Sequence, residues 1–338
     1  MPTLSDVAAE AGLSPTAVSR YLNGRLELPQ ATRDRIDAAI AKLGYRPNVL
    51  ARRLSTGKAE ALSLVTPNIG NAFFSQLAAA IEAEAREHGY ALYVSSTGGQ
   101  ASGVVEAIHR MAGRHVDGLI MVTDSPDDGT LAALLDHQDN VVILDEDIPG
   151  VGVPKVFVDN ENGAYLATRE LIRAGHRDIA MIGGPHRLMS VTERFAGFTR
   201  ALGEAGLAAI PGWVMLGEYS RNYGRTAADV LLAGYPRPTA SFAGSDDIAL
   251  GIMESARLHD LALPTDLSIV AFDDVSFADL VHPALSTIRQ PVADLGRLAV
   301  RHLIALIENS KPRPPAETRL PVQLVVRHSV APPPARKD

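Results

Sequence analysis

The 338-residue chain contains no cysteine. That excludes a disulfide framework, a thiolate zinc site and a thiol nucleophile together. It also lacks a G-x-G-x-x-G fingerprint, a P-loop, a G-x-S-x-G elbow and a paired-histidine metal motif, so nothing in it points to catalysis, a cofactor or a metal. Asp145-Glu146-Asp147 is the one acidic run that invites a cation, and it reads more simply as a surface loop. No apolar run is long enough to cross a bilayer, and no signal-peptide pattern precedes the first predicted helix, so a cytoplasmic protein without membrane contact is expected. The hydrophobic content of 46% is that of an ordinary globular protein, and the length allows more than one domain.

The N-terminal residues carry the strongest local pattern. Thr3 opens a helix, with Asp6 three residues on to close a capping box, and Gly12 supplies the positive φ of a helix end. Ser14-Pro15 starts a second helix, serine as cap and proline at the first helical position, running to Leu22 before Asn23-Gly24. On that helix Val18 and Leu22 share a face that would pack on Val7 and Ala11, while Thr16 and Arg20, four apart, point outward. A third helix is predicted over 30–43, where Ile36, Ala39, Ile40 and Leu43 form one stripe. Two short helices across a glycine-containing turn are a helix-turn-helix; the plainer alternative is a three-helix unit with no role on DNA.

This segment resembles the LacI/GalR family of bacterial transcription regulators. The resemblance rests on Thr3-Leu4-Ser5-Asp6-Val7-Ala8, Gly12-Leu13-Ser14, Val18-Ser19-Arg20-Tyr21-Leu22-Asn23-Gly24, Thr32-Arg33 and Leu43-Gly44-Tyr45-Arg46-Pro47-Asn48. It implies that Pro15, Thr16 and Arg20 meet base edges, and that Thr3, Ser14, Ser19, Asn23, Thr32 and Tyr45 hold phosphates. The chemistry suits this assignment: hydroxyls and amides grip phosphate oxygens, and an arginine can bond a guanine edge through two donors. Pro15 has no donor and reads only shape or a thymine methyl.

After Pro47 stops the third helix, Asn48 can cap another, but fewer than three turns remain before Gly57, too few for a stable isolated helix. The family resemblance implies a hinge helix that folds on DNA beside its twofold mate. Asn48, Ala51 and Leu54 would then meet the minor groove, with Leu54 wedged between base pairs. Charge divides at the same place. Residues 1–58 hold nine Lys/Arg and five Asp/Glu, a net of +4, so the chain total of −7 leaves −11 for residues 59–338. A basic head on an acidic body draws phosphate to one end only.

From residue 59 onward, short apolar runs alternate with helical stretches. Strands are predicted at 61–66, 91–95, 118–122, 141–144, 155–158, 179–182, 240–243 and 267–272, and helices at 74–88, 104–112, 163–174, 192–205, 223–233 and 247–259. This alternation implies parallel sheets covered by helices, and the length favours two sheets. Loops after Leu144 and Phe272 look like passages near a lobe junction, and a helix over 292–309 precedes a closing strand near 321–327. The resemblance implies the two-lobed fold shared with periplasmic sugar-binding proteins, with three crossovers. The expected architecture is a helix-turn-helix head at 1–46, a hinge helix and linker at 47–58, a two-lobed α/β body of parallel sheets at 59–331 for effector binding and dimerisation, and a disordered tail at 332–338.

In open α/β sheets ligands bind beyond the carboxyl ends of strands. Asp145, Ser245 and Asp273 follow predicted strands, and Arg194 falls early in a helix. By resemblance, Phe73, Phe74, Asp145, Ser190, Arg194, Tyr219, Ser245, Asp273 and Gln290 are the effector residues. Taken singly, an aspartate after a strand is more often a helix cap, and Phe73-Phe74 could be core. Carboxylate and guanidinium groups bond hydroxyl pairs, and aromatic faces cover C–H surface, which suits a carbohydrate. Ser245 departs from the asparagine of many sugar-responsive members, and Leu188 lacks the cation used nearby by a purine-binding branch. The sequence therefore reads as a repressor acting as a homodimer on a pseudo-palindromic double-stranded operator, controlled by a sugar or sugar derivative. The tail has no leucine heptads that would pair two dimers. The alternative is a solute-binding protein or a sugar-modifying enzyme with the same body.

Overall fold

In a computed structural model the described residues are 2–22, 26–45, 57–98, 100–124, 126–136 and 138–335. The chain divides into two compact units, Met1–Glu60 and Ala61–Asp338. In the first, α1 (Leu4–Ala11), α2 (Pro15–Leu22) and α3 (Gln30–Leu43) surround one small core. The capping box at Thr3 and Asp6 is formed, and Gly12 ends α1 in the left-handed conformation at φ 64°. Val7, Ala8, Ala11, Val18, Ile36 and Ala39 make the core, with Leu22, Ile40 and Leu43 packed around it. The predicted helical stripes are the buried faces. Residues 47–56 of the expected hinge helix and linker lie outside the described residues.

The second unit has two lobes. The first lobe's sheet has the order β11-β5-β4-β3-β1-β2, built from β1 (Ala61–Thr66), β2 (Ala91–Ser96), β3 (Gly118–Met121), β4 (Val141–Leu144), β5 (Lys155–Val158) and β11 (Glu317–Leu320). All its pairings are parallel. The second sheet has the order β12-β10-β9-β8-β6-β7, from β6 (Ile179–Gly183), β7 (Val214–Leu216), β8 (Ala240–Ala243), β9 (Ser268–Asp273), β10 (Ser286–Arg289) and β12 (Gln323–Val325). There only β12 runs antiparallel, on β10. β1, β3 and β4 are buried along their whole lengths, as expected of parallel strands covered on both faces. That is why β3 and β4 read as uninterrupted apolar runs, while β1 also buries the polar Ser63 and Thr66.

The chain crosses between lobes three times, but not after Leu144 or Phe272. Helix α7 (Asn160–Arg173) follows β5 of the first sheet and packs on β9 and β10 of the second. Helix α11 (Val292–Ile307) follows β10 and returns to β3 and β4. The third crossing is the short link from β11, a strand not expected from the sequence, to β12, which falls within the expected closing strand and lies in the other sheet. Pro321 stands between them and has no N–H to continue a ladder. At the far end, the Ala331 carbonyl accepts from His176 Nε2 at 2.8 Å, and Pro333 lies over Gly175. Contact with the body thus reaches Pro333, while residues 336–338 lie outside the described part.

Candidate functional site

In the N-terminal unit, the nominated DNA-binding residues among those described lie outside the small core of α1–α3. Ser14, Pro15, Thr16 and Arg20 are exposed, as is Thr3, while Ser19, Thr32 and Tyr45 are half-buried. The Thr3 amide donates to Asp6 Oδ2 at 2.7 Å and its hydroxyl accepts from the Asp6 amide at 3.3 Å. Ser14 Oγ accepts from the Ala17 amide at 3.2 Å, so it caps α2. Arg35, a cation the sequence left unassigned, donates to the Ala11 and Gly12 carbonyls at the end of α1. Such carbonyls lack helical partners and carry partial negative charge. Asn23, Asn48, Ala51 and Leu54 lie outside the described residues.

In the second unit, a cavity of about 430 Å³, partly open to solvent, is lined by all nine nominated residues: Phe73, Phe74, Asp145, Ser190, Arg194, Tyr219, Ser245, Asp273 and Gln290. The carboxyl ends of strands from both sheets meet there. Asn71, Thr123, Asp124, Glu146 and Leu188 line it as well, and none of these five was nominated.

The aromatic wall comes from α4 (Ala72–Glu87). Asn71 caps that helix by accepting from the Phe73 and Phe74 amides at 2.9 and 3.3 Å. The two rings meet edge to face, 5.5 Å apart. Opposite stands Arg194, on α8 (Met189–Glu204), and only 4% exposed. Its Nε donates to Asn160 Oδ1 at 2.9 Å and its Nη1 to the Gly244 carbonyl at 2.5 Å. The guanidinium carbon lies 3.7 Å from the centre of the Phe272 ring. Asn160 begins α7 and Gly197 lies in α8, where a Cβ would fall 2.0 Å from the Glu161 carbonyl oxygen. Glycine is what lets these helices approach closely enough for Asn160 to hold Arg194.

Carboxylates flank the arginine from both lobes. Asp145 follows β4 at φ 72°, while Asp273 ends β9 at φ 115° and Asp274 follows it at φ 58°. Aspartate tolerates the left-handed region better than most residues, yet two such positions lining one cavity, with a third next to one of them, are strained backbone of the kind that gathers at functional sites. Burial pushes the Asp145 carboxyl up to about 7 against the pull of Arg194. Burial likewise pushes Asp273 up, to about 8, again opposed by Arg194. Gln290 Nε2 donates to Asp273 Oδ1 at 2.8 Å. The Gln290 Oε1 is buried and accepts nothing among the described residues. Tyr219 OH lies 3.3 Å from Ser190 Oγ, and burial raises the phenol to about 12. The ring fits because Gly184 has no side chain: a Cβ there would fall 2.2 Å from it.

The three polar residues after β8 divide their labour. Ser245 lines the cavity and caps α10 (Asp246–Leu258), its Oγ accepting from the Ile248 amide at 3.2 Å. Asp246 is fully buried and accepts from the Val275 amide at 2.8 Å and Thr287 Oγ1 at 2.7 Å, which fixes the loop bearing Asp273. Asp274 is ion-paired with Arg289 and Arg327 at 2.6 and 2.7 Å. Asp247 Oδ2 accepts from Asn71 Nδ2 at 2.6 Å, joining the lobes.

The reading of Asp145-Glu146-Asp147 as a surface loop is wrong. Glu146 is 2% exposed. Its Oε1 accepts from the Met189 amide at 2.7 Å, and its Oε2 from the Ser190 amide at 3.2 Å and Ser190 Oγ at 2.6 Å. Asp147 pairs with Lys155 at 2.5 Å. Burial pushes the Glu146 pKa up, while bonds from Ser190, Asp147 and Met189 oppose it. Every partner of this carboxyl is a donor, an environment that suits the ionised form. Arg319 on β11 makes a further link between lobes, to Glu193 of α8 at 2.8 Å. Among the described residues no group of His, Asp and Glu is placed to hold a metal ion.

Comparison with known proteins follows the same division. A family model described as bacterial regulatory proteins, lacI family, matches residues 3–48, and one for a periplasmic binding protein-like domain matches residues 168–330. The chain is 31% identical to catabolite control protein A of Priestia megaterium over 97% of its own length and 98% of that protein. It is 32% identical to the HTH-type transcriptional repressor PurR of Vibrio campbellii (strain ATCC BAA-1116), over 98% and 99% of the two chains. Among solved structures, a lac repressor dimer bound to operator and the anti-inducer ONPF superposes with a TM-score of 0.85 at 28% identity, covering 98% of this chain and 99% of that one. A complex of the transcriptional regulator CelR with cellobiose gives 0.74 at 29% identity, over 97% and 100%. With a helix-turn-helix head, a two-lobed body and relatives matched end to end, the chain belongs to the LacI family of bacterial transcriptional regulators.

Proposed function

We propose that this regulator is a homodimeric repressor whose operator affinity is set by a carbohydrate bound between the two lobes. The observation that carries the proposal is the cavity's donor set: Arg194 between Asp145 and Asp273, with Phe73 and Phe74 on the facing wall. Neighbouring hydroxyls of a sugar ring match paired carboxylate and guanidinium groups, and its C–H face matches an aromatic ring. The buried and unpartnered Gln290 Oε1 gives a further reason for a hydroxyl donor, since an orphaned buried acceptor costs about 1–3 kcal/mol. A related solved structure is a regulator with cellobiose, and a curated relative at 32% identity is a ribose operon repressor of Haemophilus influenzae.

In this reading residues 1–46 recognise DNA, residues 47–58 connect, and residues 59–331 bind effector and dimerise in the cytoplasm. Arg20, Thr16 and Pro15 face bases, and Thr3, Ser14, Ser19, Asn23, Thr32 and Tyr45 hold phosphates. Asn48, Ala51 and Leu54 engage the operator centre. Two copies related by a twofold axis read two half-sites. A ligand that touches both lobes prefers one lobe angle, and only that difference in affinity can shift the DNA-binding equilibrium. Couplings of this kind are typically about 1–3 kcal/mol and reciprocal, so operator DNA must change effector affinity by the same factor.

The test is a footprint of the purified protein on DNA upstream of its own gene and its neighbours, repeated with sugars and sugar derivatives. A protected pseudo-palindrome that one sugar abolishes or strengthens is the expected outcome. Sugar binding whose affinity is the same with and without operator would refute the coupling.

A further inference from the structure

We infer that Glu146 sets the charge class of the effector: its carboxylate fills the anion seat at the start of α8, so the cleft takes uncharged polyhydroxy ligands and rejects phosphorylated or acidic ones. This inference rests on the effector reading above.

Helix α8 begins without a side-chain cap of its own, because Leu188 holds the capping position. The first amides of a helix lack internal partners and carry partial positive charge, so they form a ready seat for a carboxylate or phosphate. Here the seat is taken. Glu146 enters from the loop after β4, in the other lobe, and receives the Met189 amide on one oxygen and the Ser190 amide and hydroxyl on the other. The same Oε1 also accepts from the Asp147 amide at 3.1 Å. Ser190 and Glu146 both line the cavity, so an anionic group reaching for these donors meets a buried carboxylate that already holds them.

The remaining charges point the same way. Arg194 is the one cation among the described residues that line the cavity, beside Asp124, Asp145, Glu146 and Asp273. Its Nε and Nη1 are committed to Asn160 and Gly244. A phosphate brought into this cleft would lose its water among four acidic side chains, facing a single arginine whose Nε and Nη1 are already engaged, and an uncompensated buried charge is expensive. A neutral polyol meets no such penalty, because its hydroxyls donate to the carboxylates and accept from the guanidinium.

The experiment is calorimetric titration of the full-length protein with inorganic phosphate, comparing wild type, Glu146→Ala and Glu146→Ala/Ser190→Ala. Saturable heat separates site binding from the general stabilisation that phosphate gives any folded protein. Wild type should give none. Glu146→Ala, checked for native helix content by circular dichroism, should bind phosphate at least about tenfold more tightly than wild type, the scale of one regained charge-assisted hydrogen bond. Adding Ser190→Ala should remove most of that gain. Should Glu146→Ala not fold, Glu146→Ser, which keeps a small acceptor for the helix, carries the same comparison. Saturable binding to wild type that depends on Ser190, or a folded Glu146→Ala that takes no phosphate, would overturn the inference. So would a phosphorylated sugar that alters the operator footprint, an outcome that leaves effector control of DNA binding standing.

Discussion

Replacing Asp145 by asparagine should stabilise the ligand-free body at alkaline pH, which tests whether the cleft keeps a carboxylate there at a cost. The Asp145 carboxyl lies at about 7 in the folded chain against an ordinary 3.8. A folded-state value above the unfolded one means that the folded chain holds more protons between those limits. Stability therefore falls as pH rises from about 4 to about 7, and the full penalty persists above that window. In a dry site a rise of that size would amount to about 4 kcal/mol. Asp145 keeps part of its surface open to the cleft, so solvent reduces this to about 1–2 kcal/mol. Asparagine fills nearly the same volume and does not ionise. The assay is urea unfolding followed by far-ultraviolet circular dichroism at pH values from about 4 to about 8.5, which bracket the window. Wild type and Asp145→Asn should coincide at the acid end, with the variant more stable by about 1–2 kcal/mol at the alkaline end. Asp273 and Asp246 are raised in the same direction, so both proteins lose stability with rising pH, and the difference between them reports the Asp145 charge together with its repulsion by Glu146 and Asp273. Parallel curves would refute the reasoning. The variant should also bind its sugar about tenfold or more weakly, having lost one charge-assisted acceptor.

Three further outcomes follow from the geometry. Arg20→Ala should weaken operator binding by about 1–3 kcal/mol and relax preference at one base pair of each half-site, measured by gel shift on operators substituted one pair at a time. Gly197→Ala puts a Cβ 2.0 Å from the Glu161 carbonyl oxygen. It should lower body stability by about 1–3 kcal/mol in a thermal melt, and effector affinity should fall with it because Asn160 and Arg194 move apart. Thr3→Ala removes the capping box and should destabilise the head by about 0.5–2 kcal/mol, read from hydrogen exchange of α1 amides, with the body's exchange unchanged.

Where structure depends on neighbours along the chain, the sequence was sufficient. The Thr3–Asp6 box, the Gly12 stop and the stripe on α3 are interactions over three to seven residues, and each stands in the structure as read. The strands at Val141–Leu144, Lys155–Val158 and Ala240–Ala243 were legible to the residue. A strand buried on both faces is mostly apolar, with Lys155 at the edge of β5 and Ser241 inside β8 as the exceptions, and polar or turn residues bound it on each side. Nine of the fourteen residues that line the cavity were nominated, and by family resemblance, since no period or spacing in the chain links Phe73 to Gln290.

Tertiary structure decided what depends on the closure of one lobe over the other. An apolar run does not say which sheet it joins, so the crossings were misplaced, and β11, just before the expected closing strand, was missed. Glu146 looked like one acid of a solvated loop because its partners, the Met189 and Ser190 amides, lie more than 40 residues away and in the other lobe. Asn71 and Asp247, separated by 176 positions, pair for the same reason. Backbone amides at a helix start have no signature in the side-chain sequence of the loop that caps them. Only the folded chain, with both lobes in place, could reveal that the cavity's anion seat is already filled from within.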